Sequence, residues 1–157
     1  FEAHRFNFYT GGKYKDNFTY DQSEPWTRQA FRKDGSSSWA NFHKDQGMEW
    51  EMLDWAMSKD RDAALKSTSM GLGQIMGENY KQAGFKSPEE MFNKFRLSDE
   101  YQLRGMLNFV YNSPVLAGAV KAGSFPNFAA GYNGPGQVPK YVQMMMENYM
   151  RFKAPAK

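Results

Sequence analysis

A glutamate and a histidine lie two residues apart near the start of the chain, in the segment Phe-Glu-Ala-His-Arg-Phe. Aromatic neighbours remove water from a carboxyl group and favour its protonated form, which suits a general acid or base near neutral pH. We therefore take Glu2 as a candidate catalytic residue, with His4 as a neighbour that can orient its carboxylate. The alternative is an ordinary surface acid beside a structural histidine, and spacing alone favours that alternative.

Three glycines punctuate the segment Ser-Met-Gly-Leu-Gly-Gln-Ile-Met-Gly, residues 69–77. Glycine is costly inside a helix, so this density indicates a place where another backbone or a ligand approaches closely. Gln74 then offers both a donor and an acceptor to a polar substrate. A tight crossing of two helices explains the glycines equally well. The segment is not a phosphate-binding loop, because it lacks the lysine that such a loop needs.

The third segment that could do chemistry is Tyr-Asn-Gly-Pro-Gly, residues 132–136. An aromatic ring and an amide held by a rigid turn form a good sugar-binding surface. Tyr132 can stack on a pyranose face, and Asn133 can bond its hydroxyl or acetamido groups. The alternative, favoured for this segment taken alone, is a helix C-terminal turn with Asn133 in the left-handed conformation.

Composition excludes several other kinds of site. The chain has no cysteine and only two histidines, His4 and His43, which excludes disulfides, thiolate metal sites, a cysteine nucleophile and any three-histidine centre. We predict neither a metal nor another cofactor. The net charge is +3, from 20 Lys and Arg against 17 Asp and Glu, and no run of five basic residues occurs. Nucleic acid is therefore a poor partner. No apolar run is long enough to span a membrane.

The first quarter of the chain, which must position Glu2, has no helical pattern. Alternation over residues 1–8 predicts a strand with Glu2 and His4 on one face. A turn follows, and the aromatic, turn-rich stretch over residues 13–38 predicts a hairpin with long loops.

Helical spacing dominates from about residue 45 onward. Asp60 and Ser87 suit N-cap positions, and Glu90 completes a capping box with Ser87. The helical period is predicted to continue over residues 72–80. Further helices are predicted at residues 98–110, 114–123, 127–132 and 138–152.

These patterns predict a mainly α fold of the α+β class, in which short capped helices accompany a small N-terminal β element that carries Glu2. A domain of about 150 residues buries roughly 70% of its unfolded surface, enough for one sizeable core. Aromatic residues make up 17% of the 157 residues, which excludes wholesale disorder. We predict one domain over residues 1–153 and a frayed tail over residues 154–157.

In this order and spacing the three segments resemble those of the phage endolysin N-acetylmuramidases, a family similar to goose-type lysozymes and lytic transglycosylases. The family's segments are Phe-Glu-x-His-x-Phe, Ser-Trp-Gly-x-x-Gln-Ile-Met-Gly and Tyr-Asn-Gly-Pro-Gly. The matching residues are Phe1, Glu2, His4, Phe6, Ser69, Gly71, Gln74, Ile75, Met76, Gly77 and residues 132–136. Each segment alone is weak evidence, whereas three in order, spread over nearly the whole chain, are specific.

The resemblance implies a lysozyme-like helical domain that cleaves the bond between N-acetylmuramic acid and N-acetylglucosamine in the glycan strands of bacterial peptidoglycan. It implies Glu2 as a catalytic carboxylate, since glycosidic cleavage needs one group to protonate the leaving oxygen and usually a second carboxylate. The substrate-binding residues that it implies are His4, Ser69, Met70, Gly71, Gln74, Tyr132 and Asn133. The expected protein is a phage-encoded monomer without a cofactor, made in the host cytoplasm and acting on the cell wall from the periplasm or the virion.

Two features depart from the family pattern. Met70 stands where the family has tryptophan, which replaces a ring by a flexible thioether in a substrate subsite. Family members also carry an earlier helix with a Val-Glu-Ser-Gly-like end, whose glutamate is by similarity the general acid, and this chain starts after it. Within the chain, Glu78 is a weaker second candidate. Two alternatives stay open: a lytic transglycosylase, which forms a 1,6-anhydro end without water, and a non-catalytic wall-binding or virion component.

Overall fold

The computed structural model describes residues 1–153, and the predicted tail over residues 154–157 lies outside the described residues. The chain forms two compact units, Phe1–Met106 and Leu107–Lys157. It is mainly α with a small β component, as predicted. The helices are α1 (Ala3–Tyr9), α2 (Gln46–Lys59), α3 (Arg61–Lys66), α4 (Pro88–Leu97), α5 (Asp99–Tyr111), α6 (Pro114–Lys121), α7 (Phe125–Asn133) and α8 (Val138–Lys153). The strands are β1 (Phe18–Thr19), β2 (Ala30–Phe31), β3 (Ser69–Met70) and β4 (Ile75–Met76). None of the described helices is long and apolar enough to cross a membrane.

The predicted strand over residues 1–8 is wrong, because α1 occupies most of it. The helix buries Ala3, Phe6 and Asn7 on one face, at positions i, i+3 and i+4, whereas a strand would turn Phe6 and Asn7 to opposite faces. Glu2 precedes the helix in an extended conformation, with φ −121° and ψ 103°. Glu2 therefore lies at the N-terminus of a helix and not in a β element.

The hairpin predicted within residues 13–38 is confirmed. β1 and β2 pair antiparallel, with Phe18 opposite Phe31 and Thr19 opposite Ala30. An isolated bridge then joins Phe31 to Ala40. This hairpin is the small β element near the N-terminus, and its buried phenylalanines face the same core as α1.

The predicted helical stretch over residues 72–80 is wrong for residues 72–76, which form the turn and second strand of an antiparallel hairpin of β3 and β4, whereas Gly77–Asn79 form a short 3-10 helix. Its turn places Gly71 at φ 69° and Gln74 at φ 47°, in the left-handed region that interrupts a right-handed helix. The hairpin ends where the backbone N–H of Gly77 donates to the carbonyl of Thr68, with an N to O distance of 2.8 Å. The apparent helical period of the apolar residues is thus accidental.

A core of buried aromatic rings fills the first unit. Ring pairs at these distances each add about 0.5–1.5 kcal/mol beyond the burial of their area. Trp55 of α2 extends the core, with its ring centroid 4.9 Å from that of Phe31. The fully or almost fully buried rings are those of Phe1, Phe6, Phe18, Phe31 and Phe42. Because Phe1 and Phe6 flank Glu2, this core fixes the segment that carries the candidate catalytic carboxylate.

Side-chain caps start the helices of the first unit where the sequence predicts them. The Asp60 carboxylate accepts the N–H of Ala63 at 3.0 Å, and the Ser87 hydroxyl accepts that of Glu90 at 3.0 Å. The capping box is displaced by one residue, because the Glu90 carboxylate accepts the backbone N–H of Lys86 and not that of Ser87. Local caps therefore set the boundaries of α3 and α4.

In the second unit, α7 packs against both α6 and α8. A Cβ at Gly131 would lie 2.9 Å from Cδ2 of Leu116, so the glycine permits α6 and α7 to approach closely. The helix predicted over residues 127–132 begins earlier, because Ser124 is the N-cap of α7 and its hydroxyl accepts the N–H of Asn127 at 3.4 Å. Burial is sparse in this unit, since α8 has no buried residue.

Candidate active site

An open cleft of about 670 Å³ lies in the first unit, between the start of α1, the β3–β4 hairpin and helices α2, α4 and α5. Five residues predicted from the sequence line it, namely Glu2, Ser69, Met70, Gly71 and Gln74. Two segments that are almost 70 residues apart in sequence therefore share one cavity. Residues that the sequence analysis did not single out as site residues also line it, among them His43, Glu49, Trp50, Arg96 and Gln102.

The Glu2 carboxylate is held from one side and open to the cleft on the other. Its Oε2 accepts a hydrogen bond from Nε2 of Gln29 at 2.9 Å. The side chain is 30% exposed, which permits contact with a solute in the cleft. Among residues 1–153 no protein donor bonds Oε1, so that oxygen is free to meet a substrate or a water molecule.

Gln29 connects the carboxylate to the helix that follows it. Its side chain is only 4% exposed, and its Oε1 accepts the backbone N–H of Ala3 at 2.8 Å. Glu2 makes no side-chain cap of its own, so Gln29 caps α1 from a distant loop. The preceding Arg28 has a φ of 52°, a strained conformation that costs of order 1 kcal/mol and lies beside a candidate catalytic group. No sequence signal pointed to Gln29.

His4 lies next to Glu2 but does not line the cleft. Its Nδ1 is 3.5 Å from Oε2 of Glu2, is buried, and makes no hydrogen bond within the described residues. Burial lowers the pKa of the His4 imidazole below its ordinary value of 6.5, although the Glu2 carboxylate acts in the opposite direction. His4 is therefore neutral near pH 7 and flanks the carboxylate as a dipole. Its predicted contact with substrate stays a prediction.

The β3–β4 hairpin places an amide and a hydroxyl at the cleft. Nε2 of Gln74 donates to the Gly71 carbonyl at 2.9 Å, and the Ser69 hydroxyl donates to Oε1 of Gln74 at 3.2 Å. These bonds fix the exposed amide, and each of its two polar atoms keeps capacity for one more partner. Met70 is 7% exposed and forms part of the packed wall of the cleft.

Close packing explains why glycine occupies position 71. A Cβ there would lie 2.9 Å from Cδ2 of Phe95 and 3.2 Å from Cγ of Gln102. Gln102 in turn accepts the N–H of Leu72 at 2.9 Å and donates to the Phe95 carbonyl at 2.8 Å. The sequence offered two explanations for these glycines, a close approach of backbone to a helix and a place at a ligand site. Gly71 fits both, because it packs closely against α4 and α5 and also lines the cleft.

A second carboxylate, Glu49 of α2, lines the same cleft. Its Oε1 lies 2.8 Å from Nδ1 of His43, which also lines the cleft. Glu49, Trp50 and Leu53 lie on one side of α2, at positions i, i+1 and i+4. Their helical spacing is the one signal in the sequence that could have grouped Glu49 with Trp50 and Leu53.

Glu78, the weaker second candidate from the sequence, is bound in a different network. Its Oε2 accepts hydrogen bonds from Nε of Arg5 at 3.0 Å and from the Tyr9 hydroxyl at 2.7 Å, and it forms an ion pair with the Arg5 guanidinium. Glu78 is not among the residues that line the cleft. It ties α1 to the segment after β4 and so supports the cleft from outside.

Tyr132 and Asn133 lie at the end of α7 in the second unit. The Tyr132 ring stacks on Phe128 and meets Phe109 edge-on, with ring centroids 5.5 Å apart in both pairs. Asn133 is the last helical residue, and Gly134, at φ 81°, takes the positive φ that the sequence analysis considered for Asn133. That these two residues bind sugar in the same groove as Gln74 stays a prediction.

Acidic, amide, hydroxyl and aromatic groups meet in the cleft. In the part of the chain that the structure describes, no group of three or more His, Cys, Asp or Glu side chains is arranged to hold a metal ion. The cleft combines two carboxylates, amides, a hydroxyl and an exposed tryptophan ring. Such a set can bind sugar hydroxyl and acetamido groups and transfer protons at a glycosidic oxygen.

Comparison with known proteins gives matches to one family model and to solved structures. A family model described as Muramidase, N-acetylmuramidase, matches residues 1–153. Among solved structures, the chain is similar to a Burkholderia AP3 phage endolysin, with a TM-score of 0.66 and 21% sequence identity. The likeness covers 98% of this chain but 56% of that one, so the chain spans about half the length of that endolysin, and it establishes the fold. A search of curated proteins finds no match.

Proposed function

Because the chain belongs to the N-acetylmuramidase family, we propose that it degrades bacterial peptidoglycan by cleaving the bond between N-acetylmuramic acid and N-acetylglucosamine. The observation that carries the proposal is the Glu2 carboxylate, which is held by Gln29 in the wall of an open cleft that the fixed amide of Gln74 also lines. Phage origin and action on the cell wall follow from the same family and belong to the proposal.

The cleft suits an amphipathic polymer such as a glycan strand. Trp50, which is 44% exposed, offers an apolar ring to one sugar face. Gln74 and Ser69 offer an amide and a hydroxyl that match the hydroxyl and acetamido groups of amino sugars. Concave sites that join apolar surface to a few fixed polar groups are typical of ligand binding.

In the proposed reaction Glu2, in its protonated form, gives its proton to the glycosidic oxygen as the bond to the sugar breaks. The departing electron pair stays on that oxygen, and the developing oxocarbenium ion is stabilised by a nearby negative charge. Glu49 is the second carboxylate of the cleft and supplies that charge or activates the attacking water. Gln29 keeps the Glu2 side chain in place through its hydrogen bond to Oε2.

A lytic transglycosylase would use the same proton donor, with a hydroxyl of the muramic acid itself as the nucleophile. The open cleft and the 30% exposure of Glu2 favour hydrolysis, because water reaches the carboxylate freely. We therefore propose hydrolysis, with 1,6-anhydro products as the outcome that would assign the transglycosylase reaction instead.

The test is digestion of purified peptidoglycan by the chain, followed by mass and reducing-end analysis of the released fragments. Hydrolysis gives reducing N-acetylmuramic acid ends. Glu2→Gln is expected to keep the fold and to lower the rate by about 10²–10⁴-fold, because glutamine is isosteric but cannot transfer the proton. Glu49→Gln is expected to lower the rate by less.

Glu51→Gln is the matched control, because Glu51 is an exposed acid on the same helix as Glu49 and outside the cleft. It is expected to leave the rate unchanged. Wild-type binding to peptidoglycan without any cleavage would assign the chain to a non-catalytic wall-binding role. Equal rates for wild type and Glu2→Gln would show that a different carboxylate is the acid.

A further inference from the structure

A second depression adjoins the cleft of the first unit and shares a wall with it. Trp50, Phe92 and Arg96 line both cavities. The second cavity has a volume of about 600 Å³ and is completed by Asp54, Met57 and Arg61. The concave surface therefore continues past Trp50 towards the guanidinium groups of Arg96 and Arg61.

Arg96 is the one lysine or arginine that lines the main cleft, among the described residues. Its guanidinium carbon lies 5.5 Å from the centroid of the Phe92 ring, a cation–π contact that fixes the group over a ring only 6% exposed. Within residues 1–153 no carboxylate lies within ion-pair distance of Arg96. The guanidinium of Arg96 therefore rests on the Phe92 ring and has no acidic partner among the described residues.

Neighbouring charges do not neutralise Arg96. Arg61, the other cation of the second depression, is already engaged by Glu89 through two hydrogen bonds of 2.6 and 2.9 Å. Glu49 in the cleft is hydrogen-bonded to His43 and forms no ion pair with Arg96. Asp54 is the one further acid in the lining of the second depression, and it forms no ion pair with Arg96.

A neutral sugar offers no negative charge to pair with a guanidinium, but peptidoglycan is not a neutral glycan. Each N-acetylmuramic acid carries a lactyl branch, which ends in a carboxylate or in a peptide stem with carboxylates of its own. A guanidinium recognises a carboxylate through two parallel hydrogen bonds. We propose that Trp50, Phe92 and Arg96 form a subsite for a carboxylate on the muramic acid branch. This inference rests on the proposed function and deepens it.

The subsite makes the enzyme selective for muramic acid strands over uncharged amino-sugar polymers. Trp50 packs against the apolar part of the branch, and the buried Phe92 ring, with its centroid 6.4 Å from that of Trp50, supports both Trp50 and Arg96 from below. Arg96 then receives the charged end. Because Arg96 is exposed, its attraction for the branch weakens as ionic strength rises.

Binding is measured by tryptophan fluorescence in the Glu2→Gln background, so that cleavage does not interfere. Three soluble glycan preparations serve as probes: strands with intact stems, the same strands with stem carboxylates converted to neutral amides, and strands stripped of stems by an amidase. Arg96→Gln is expected to weaken binding of intact strands about fivefold, the upper range for an exposed ion pair. Arg96→Lys is expected to restore part of the loss.

Arg104→Gln is the matched control, because Arg104 is an exposed arginine that pairs with Glu100 outside both cavities. It is expected to bind all three preparations like the parent. A loss with Arg96→Gln on intact strands that disappears on amidated strands supports the stem as the source of the carboxylate. A loss that persists on amidase-stripped strands supports the lactyl group.

An equal loss on intact, amidated and stripped strands, or no loss on any of them, would overturn the subsite. These readouts need no turnover, so they are separate from the proposed function. Wild type that binds with Arg96 dependence but cleaves nothing would refute the hydrolase and keep the subsite. If the wild type cleaves all three preparations equally and Arg96→Gln changes nothing, the subsite is refuted and the hydrolase is kept.

Discussion

The two compact units bury their side chains to very different degrees. The first unit encloses a cluster of phenylalanine rings, of which Phe6 and Phe42 are fully buried, and builds its cleft directly on that cluster. In the second unit α8 has no buried residue, and its Met145 and Tyr149 line an open apolar groove of about 560 Å³ with residues of α6 and α7. The first unit has a closed core, whereas the second unit has a partly open core between α6, α7 and α8.

The comparison teaches where precision is needed. A site that transfers protons requires its groups to be held within about half an ångström, which a well-packed core provides. Helices with few buried contacts open locally at low free-energy cost. All four tryptophans lie in the first unit, so fluorescence reports that unit alone while far-UV circular dichroism reports both.

The largest expected effect comes from emptying the closed core. Phe6→Ala removes a fully buried ring and should destabilise the chain by about 3–5 kcal/mol. Met145→Ala, in the open groove of the second unit, should cost about 1 kcal/mol or less because the side chain is only half-buried. Urea unfolding followed by both fluorescence and circular dichroism measures the two changes. Equal losses would show that the second unit has a core as closed as that of the first.

Replacing glycine by alanine gives a second contrast, because we expect it to destabilise the chain at Gly77 in the first unit and to stabilise it at Gly118 in the second. A Cβ at Gly77 would lie 1.9 Å from the Leu65 carbonyl oxygen, so Gly77→Ala must displace backbone and should cost about 1–3 kcal/mol or more. The same substitution is also expected to lower activity, because Gly77 follows the hairpin that carries Gln74. Thermal unfolding and the peptidoglycan digestion assay measure both effects.

Gly118 is the matched position in the second unit. It lies inside α6, and a Cβ there would meet nothing within 4 Å. Gly118→Ala should therefore stabilise the chain by about 0.5–1 kcal/mol, since alanine loses less backbone entropy in a helix. A destabilising result would mean that this face of α6 is covered.

The smallest expected effect is a pH dependence of the free energy of unfolding that comes from His4 in the first unit. Burial holds the pKa of His4 below 6.5, so the unfolded chain binds a proton first as the pH falls. The contribution of His4 to stability is therefore full above pH 6.5 and is lost as the pH falls below that value. His4→Asn should flatten this part of the profile, measured as urea midpoints between pH 7.5 and about 5. Parallel profiles for the two proteins would contradict it.

Features that depend on neighbouring residues were predictable from the sequence. Asp60 and Ser87 cap helices because their side chains reach an N–H three residues ahead, whatever the rest of the chain does. The mainly α class and the hairpin within residues 13–38 follow from similarly local patterns.

Short elements were not predictable, because their pattern is too brief to fix a period. Seven residues of α1 fit alternation and helical spacing almost equally well, and burial of Ala3, Phe6 and Asn7 decided for the helix. The β3–β4 hairpin was missed because its turn depends on the left-handed conformation of Gln74, a residue without a strong preference for it.

Half of the site was visible as motifs, and the other half is made by packing. Glu2 and the glycine-rich hairpin were singled out by residue type and do line one cleft. Gln29 and Arg96 come from a loop and from α4, and only the fold brings them to Glu2 and Trp50. Nothing in their own neighbourhood in the sequence marks them.

The single amide of Gln29 has a consequence for how the protein ages. Hydrolytic deamidation would turn Gln29 into glutamate, whose oxygen could still accept the N–H of Ala3 and keep α1 in place. The donor to Glu2 would be gone, and two carboxylates would stand at hydrogen-bond distance and share one proton. A lesion of one mass unit would thus silence the proposed chemistry in a molecule that remains folded and indistinguishable by size.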